Sequence, residues 1–333
     1  MNILVVGLGS MGKRRIRLLQ RFNEVSSIIG VDGRDDRRKE VNEQFGINAF
    51  ADIEDVFISH QYVDAAFVCT SPLSHNSIIS KLLDYGLHIF SEINLVNDGY
   101  KSNINKAKEK KLTLFLSSTF LYREEIQYIR NHIRGRKNLN YVYHVGQYLP
   151  DWHPWESYND FFISDKRTNG CREIMAIEFP WITTTFGDVR SINALSDKMT
   201  GLNINYKDNY LIQLEHENGN KGIFVVDVVS PKAVRNLEVY GENLYYSWNG
   251  SPDSIEEYNT NSKIVEKVKL GNESEHIAGY SSFIIENAYQ NEIKNFFEVL
   301  AGNGTPLYGF EQDYAVLKLI GEIENQNQNR KVY

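Results

Sequence analysis

Three glycines, Gly7, Gly9 and Gly12, follow the apolar run Ile3-Leu4-Val5-Val6, and a basic segment of helical character follows them. Strand, glycine turn and helix in that order form the context in which G-x-G-x-x-G binds a dinucleotide. Gly7 allows the tight turn out of the strand. Gly9 lets a pyrophosphate approach the backbone, and Gly12 lets the helix pack closely on the sheet. The amides of the helix start, at Ser10 and Met11, then face the phosphates with the positive end of the helix dipole. A second apolar run, Ser27-Ile28-Ile29-Gly30-Val31, ends in Asp32, 20 positions after Gly12 (32 − 12). An acid at that spacing accepts the ribose hydroxyls of NAD and repels a 2′-phosphate. Arg34, Arg37 and Arg38 stand just beyond it and act the other way, because an arginine there can hold a 2′-phosphate. Arg34 could equally stack on adenine or be solvated. NAD is therefore the expected cofactor, with NADP possible.

These residues need a scaffold. Predicted strands at 3–7, 27–32, 64–70, 87–91 and 112–117 alternate with predicted helices at 11–22, 35–45, 75–85 and 99–110. Such alternation gives a parallel sheet with helices on both faces, whose ligands bind beyond the carboxyl ends of the strands. Those ends carry Gly7–Gly12, Asp32, Thr70-Ser71-Pro72, Glu92 and 118–122. The pattern changes after about residue 122. A helix over 123–134, a strand over 140–149, an aromatic loop and a helix over 171–186 come first. Short runs from 189 to 270 then carry turn signals at Asn218-Gly219-Asn220, Gly241-Glu242-Asn243, Asn249-Gly250-Ser251-Pro252 and Asn259-Thr260-Asn261. These read as a mostly antiparallel sheet, closed by helices near 280–301 and 311–325. Helices on one face leave the other face free for a homodimer or homotetramer. The expected fold is thus α/β followed by α+β. Residues 1–121 form a nucleotide-binding domain, and 122–333 a substrate-binding and oligomerisation domain.

Bulk properties narrow the class. A net charge of −7 disfavours nucleic acid and anionic membranes as partners. No apolar run reaches membrane-spanning length. Cys69 and Cys171 lack a metal spacing, so a reducing, cytoplasmic compartment and no bound metal are expected. Aromatic residues are dense between Tyr141 and Phe162, which suggests a ligand-facing loop.

Nearly the whole chain resembles the Gfo/Idh/MocA oxidoreductases, the glucose–fructose oxidoreductase and inositol dehydrogenase family. Gly7 through Arg15 looks like the family's start, with Arg15 where a His is common. The run from Cys69 to His75 resembles its T-P-P-x-x-H turn, which the resemblance places against the cofactor through Thr70, Ser71, Pro72 and His75. Gly86–Glu92 resembles the approach to its E-K-P motif, and Phe120–Arg123 the segment leading into the second domain. Phe297, Pro306-Leu307 and Gly309 fit the closing pattern.

The departures bear on chemistry. The E-K-P lysine position holds Ile93. Counting back from Phe186-Gly187, the family's D-x-x-x-H places its His on Ile177 and its Asp on Glu173, or on Ile174 if the register slips. Isoleucine cannot accept a proton, and oxidising a secondary alcohol needs a base beside the hydride acceptor. Replacement candidates lie in two segments. In Asp151-Trp152-His153-Pro154-Trp155, His153 offers an imidazole, the side-chain type suited to a base at neutral pH, and Trp152 and Trp155 could stack on sugar faces. The alternative there is an aromatic loop packing under the helix. On the helix, Arg172 could meet an anionic substrate, and Glu173 and Glu178 lie near the lost His; an ordinary Arg–Glu surface pair is the alternative. Tyr122 and Arg123 are substrate-binding candidates by position. The resulting expectation is a dehydrogenase of a sugar, sugar phosphate or cyclitol with a relocated base. A sensor that binds NAD and a sugar-like ligand without turnover is the competing one.

Overall fold

Short, continuous apolar runs such as Ile3–Val6 and Ala65–Val68 can be buried on both faces only in a sheet covered on both sides. The computed structural model describes residues 1–59, 62–153, 156–271 and 285–326. Its first compact unit comprises Met1–Ser118 and Tyr289–Ala315. The elements there are β1 (Asn2–Val6), α1 (Ser10–Leu19), β2 (Ser27–Val31), α2 (Asp35–Phe45), β3 (Asn48–Phe50), α3 (Ile53–Ile58), β4 (Ala65–Val68), α4 (His75–Asp84), β5 (His88–Ser91), α5 (Tyr100–Lys110) and β6 (Leu114–Leu116). All pairs are parallel, in the order β3-β2-β1-β4-β5-β6. The strand order reverses at β1, with β2 on one side and β4 on the other, where a doubly wound sheet opens a crevice. The sequence reading missed β3 and α3. At three and six residues they are too short to show a period.

The second unit comprises Thr119–Ala288 and the described residues from Val316 on. It holds α6 (Glu124–Ile133), β7 (Asn140–Gly146), α7 (Gly170–Phe186), β8 (Val189–Asp197), β9 (Asn209–His216), β10 (Lys221–Asp227), β11 (Val234–Gly241), β12 (Leu244–Trp248), β13 (Glu256–Asn259) and β14 (Ile264–Lys267). The last two helices, α8 (Glu286–Leu300) and α9 (Phe310–Asn325), each carry residues of both units. The sheet order is β14-β13-β12-β11-β7-β10-β9-β8, antiparallel except for β7 with β10. All four turn signals read from the sequence fall between consecutive strands, at β9–β10, β11–β12, β12–β13 and β13–β14.

Alternation along β7 sorts the faces. Tyr141 and Tyr143 point into the core, where Tyr141 stacks on Phe186 at 4.1 Å and Tyr143 on Phe224 at 5.4 Å. These tyrosines are therefore packing residues, and the aromatic density around them is not wholly a ligand loop. Val142 lies on the other face beside Ile223, its register partner.

Arg15, fully buried, ties the first unit together. Its Nε donates to Glu92 Oε1 at 2.6 Å and its Nη2 to Glu292 Oε2 at 2.7 Å. Glu292 also accepts from the Ser118 amide at 2.6 Å. Burial alone would lower the Arg15 pKa, but the two carboxylates outweigh it and raise it. Arg15→Met strands two buried carboxylates, so urea unfolding should show a loss of about 3–5 kcal/mol. A loss below about 1 kcal/mol would mean the network is not holding the unit together.

Candidate functional site

The glycine turn is built by close approach. Gly7 has φ +92° and donates to Val31 O at 2.8 Å. A Cβ at Gly7 would lie 2.7 Å from the Cys69 carbonyl, and one at Gly12 only 1.9 Å from Gly7 O. Packing therefore accounts for both residues. It does not account for Gly9, whose Cβ would meet nothing nearer than Arg37 Nη1 at 3.6 Å. Gly9 is open on the side from which a phosphate would approach, and it precedes α1 without a side-chain cap. The first amides of α1 are thus left for an anion.

Asp32 does more than wait for a ribose. Its Oδ2 accepts from the Leu8 amide at 2.8 Å and its Oδ1 from the Arg34 amide at 2.9 Å, while Arg37 Nη1 lies 3.3 Å from Oδ2. The carboxylate clamps the glycine turn to the end of β2, and a ribose would have to share it. Arg37, in the first turn of α2, is noted in the sequence analysis without being assigned to the site. The third strand end, after β4, is fixed by His75. Its Nε2 pairs with Thr70 O at 2.9 Å and its Nδ1 with the Asn94 side-chain amide at 2.7 Å. Burial lowers the His75 pKa, and both ring nitrogens are engaged in holding the Thr70-Ser71-Pro72 turn. Glu92 is held by Arg15 at one oxygen. The glycine cradle, the open α1 amides and the acid after β2 fit a dinucleotide.

The second unit arranges the other candidates. Trp152 donates from Nε1 to Gln147 O at 3.0 Å, and its ring lies 3.4 Å from where a Gly170 Cβ would be. Asp151 is exposed. His153 pairs through Nδ1 with Glu156 Oε1 at 2.8 Å and stacks on Phe161 at 4.4 Å. Trp155, with Pro154, lies outside the described residues. Asn169 caps α7 by accepting from the Arg172 amide at 2.8 Å. The Arg172 guanidinium pairs with Glu324, a partner far along the chain that local sequence does not reveal.

The carboxylates of α7 differ sharply. Glu178 is fully buried and accepts from Tyr143 Oη at 2.7 Å, Trp181 Nε1 at 2.6 Å and Arg235 Nη2 at 2.7 Å. With three donors on it, Glu178 anchors α7 to the sheet and is not available as a base. Arg235 comes from β11, so only the tertiary fold could show this. Glu173 is the opposite case. Its Oε2 is sealed from solvent without a hydrogen-bond partner among the described residues, and desolvation pushes its pKa up to about 7. Glu173 and Ile177 are four residues apart on one partly exposed helix stripe. Tyr122 and Arg123 are buried, and Arg123 is held by Glu125 at 3.1 Å and Gly250 O at 2.9 Å. Among the described residues no cluster of side chains is set to hold a metal, and no helix is long and apolar enough to cross a membrane.

Residues 1–117 match the Gfo/Idh/MocA family model, described as an oxidoreductase family with an NAD-binding Rossmann fold. Human biliverdin reductase A is 26% identical over 140 residues, 41% of this chain and 46% of that protein, so the match spans less than half of the curated relative. Among solved structures, UDP-N-acetylglucosamine 3-dehydrogenase GnnA from Acidithiobacillus ferrooxidans superposes with TM-score 0.77 at 16% identity, covering 98% of this chain and 97% of that one. Biliverdin reductase from Synechocystis sp. PCC 6803, in complex with biliverdin and NADP+, gives 0.76 at 15% identity over 97% of each chain. These two likenesses show the fold, and the family match covers the residues of the glycine cradle.

The cradle makes a paired prediction. Gly12→Ala should destabilise the protein by about 1–3 kcal/mol through overpacking against Gly7 O. Gly9→Ala should leave the melting temperature nearly unchanged yet weaken NADH binding on the order of tenfold or more, about 1.4 kcal/mol. Calorimetric melts and cofactor fluorescence separate the two, and equal stability losses would refute the distinction.

Proposed function

We propose that this chain, whose residues 1–117 match the Gfo/Idh/MocA family model, is an NAD(P)-dependent dehydrogenase acting on a secondary alcohol of a sugar, sugar phosphate or cyclitol. The observation that carries the reading is Glu173. It is a carboxyl with one sealed, unpartnered oxygen and a pKa near 7, on the helix stripe where the family's base is replaced by Ile177. A general base works best when its pKa lies near the operating pH.

Gly7–Gly12 would hold the pyrophosphate of NAD(P) and Asp32 its adenosine ribose, and the bound nicotinamide would supply a hydride acceptor. In oxidation the substrate C–H bond breaks and its electron pair leaves with the hydrogen as hydride. The hydroxyl proton passes to the Glu173 carboxylate, and the C=O bond forms. In reduction the protonated Glu173 returns that proton. His153, paired through Nδ1 with Glu156, is the second candidate base. Trp152 and Asp151, with Trp155 by its place in the sequence alone, are the candidate sugar-binding residues, and Arg172 and Tyr122 are candidates by sequence position. The competing reading, a non-catalytic NAD- and sugar-binding sensor, is favoured by the aliphatic replacements Ile93 and Ile177.

Following reduced-cofactor absorbance across sugars, sugar phosphates, nucleotide sugars and cyclitols decides between them. Ligand binding with NAD but no reduction under any condition selects the sensor. On an active substrate, Glu173→Gln should lower kcat by about 10²–10⁴. Oxidation should rise with pH through about 7, because the base must be ionised, and Glu173→Gln should erase that rise. Stability moves the other way. Glu173 is raised from 4.5 to about 7, so its penalty is absent below pH 4.5, develops as pH rises to 7 and is complete above it. At pH 8, Glu173→Gln should therefore be more stable by up to about 3 kcal/mol. Full turnover in Glu173→Gln, with loss in His153→Ala, would move the base to His153.

The assembly belongs to the same proposal. The uncovered sheet face presents Val142, Leu211, Ile223 and Tyr240, each 38–44% exposed, and suits a homodimer or homotetramer. Sedimentation should show an oligomer that Ile223→Asp converts to monomer; a wild-type monomer at micromolar concentration would exclude this.

A further inference from the structure

Resting on the dinucleotide reading above, we infer that Arg37, and not Arg34, gives this site its affinity for a 2′-phosphorylated dinucleotide, so that NADP(H) is accepted alongside NAD(H). The three arginines beyond β2 are placed very differently. Arg34 turns toward Asp36, with Nε 3.1 Å from Oδ1, and both side chains are largely exposed. That hydrogen bond holds the Asp36 carboxyl down at about 2. Arg38 is spent on the Asp32 carbonyl at 2.7 Å and on Asp35 at 3.1 Å. Arg37 alone reaches over the glycine turn. Its guanidinium atoms lie 3.6–3.9 Å from the place a Gly9 Cβ would take, and Nη1 is 3.3 Å from Asp32 Oδ2.

The electrostatic consequence is direct. A 2′-phosphate would sit beside the ribose acceptor Asp32, whose like charge would repel it. Here that charge is already met by two backbone amides and by Arg37. The Arg37–Asp32 contact is long for a charged pair, and the Arg37 side chain is 37% exposed against 9% for Asp32. Arg37 can therefore turn to a phosphate at little cost, while the Leu8 and Arg34 amides continue to hold the Asp32 charge. With NAD, the arginine keeps its place and the ribose hydroxyls share Asp32.

Fluorescence titration of the full chain with NADPH and NADH tests this without any substrate. Wild type should bind the two within about tenfold of each other, a difference of at most 1.4 kcal/mol. Arg37→Ala should weaken NADPH about tenfold or more and change NADH by less than about threefold. Arg37→Lys, which keeps the charge but loses the planar fork, should fall between. Arg34→Ala should leave both nucleotides within about threefold of wild type. Added salt should weaken NADPH more in wild type than in Arg37→Ala. Equal loss of both nucleotides in Arg37→Ala with an unchanged melt, or a larger NADPH loss in Arg34→Ala, overturns the inference. So does a wild-type preference for NADH beyond about 100-fold. Failure of wild type to bind either nucleotide would instead overturn the dinucleotide reading itself, and this inference with it.

Discussion

The Gly7 carbonyl leaves no room for a side chain at Gly12, where a Cβ would stand 1.9 Å away. That contact sets how closely α1 seats against the end of β1, and much else follows from it. It brings the first amides of α1 to the edge of the sheet, where the backbone of the glycine turn needs a hold of its own. The Asp32 carboxylate supplies that hold by accepting the Leu8 amide. An acid expected only as a ligand group is thus also a structural strut. Its placement is settled before any nucleotide arrives, which reduces the reorganisation that binding requires.

Burial then decides what each acidic side chain can do. Glu178 and Glu173 lie five residues apart on one helix, yet three donors saturate the first and none of the described residues satisfies Oε2 of the second. A saturated buried carboxylate is fixed in place by its donors, so it anchors. An unsatisfied one carries a desolvation penalty that raises its pKa into the range useful for proton transfer. The same penalty makes it a cost to stability, a common association at sites of chemistry. Glu292 and Glu92 illustrate a third outcome, in which one fully buried arginine compensates two carboxylates and joins α8 to the strand ends of its own unit.

The face of the second sheet divides along similar lines. Inward residues of β7 stack on α7 and β10, while the outward row, with Val142 and Ile223 as register partners, remains uncovered. Period-two alternation assigns these faces, and the aromatic residues of β7 belong to packing on one of them.

Much of this was legible in the sequence, because the signals are local. The parallel unit shows in short apolar runs at regular spacing, the turn chemistry of the second sheet in Asn-Gly and related pairs, and the cofactor cradle in glycines whose spacing must match one turn of backbone. Elements of three to six residues, β3 and α3, were too short to carry a period. Roles set by distant partners were beyond it. Glu178 is defined by Arg235 and Tyr143, Arg172 by Glu324, and Arg15 by Glu92 and Glu292, each brought close only by the tertiary fold. Sequence determines which groups a chain can offer and the local geometry that presents them. Which carboxylate stays dry and unpaired, and which arginine reaches over the glycine turn, depends on burial and through-space charge, quantities that exist only once the chain has folded.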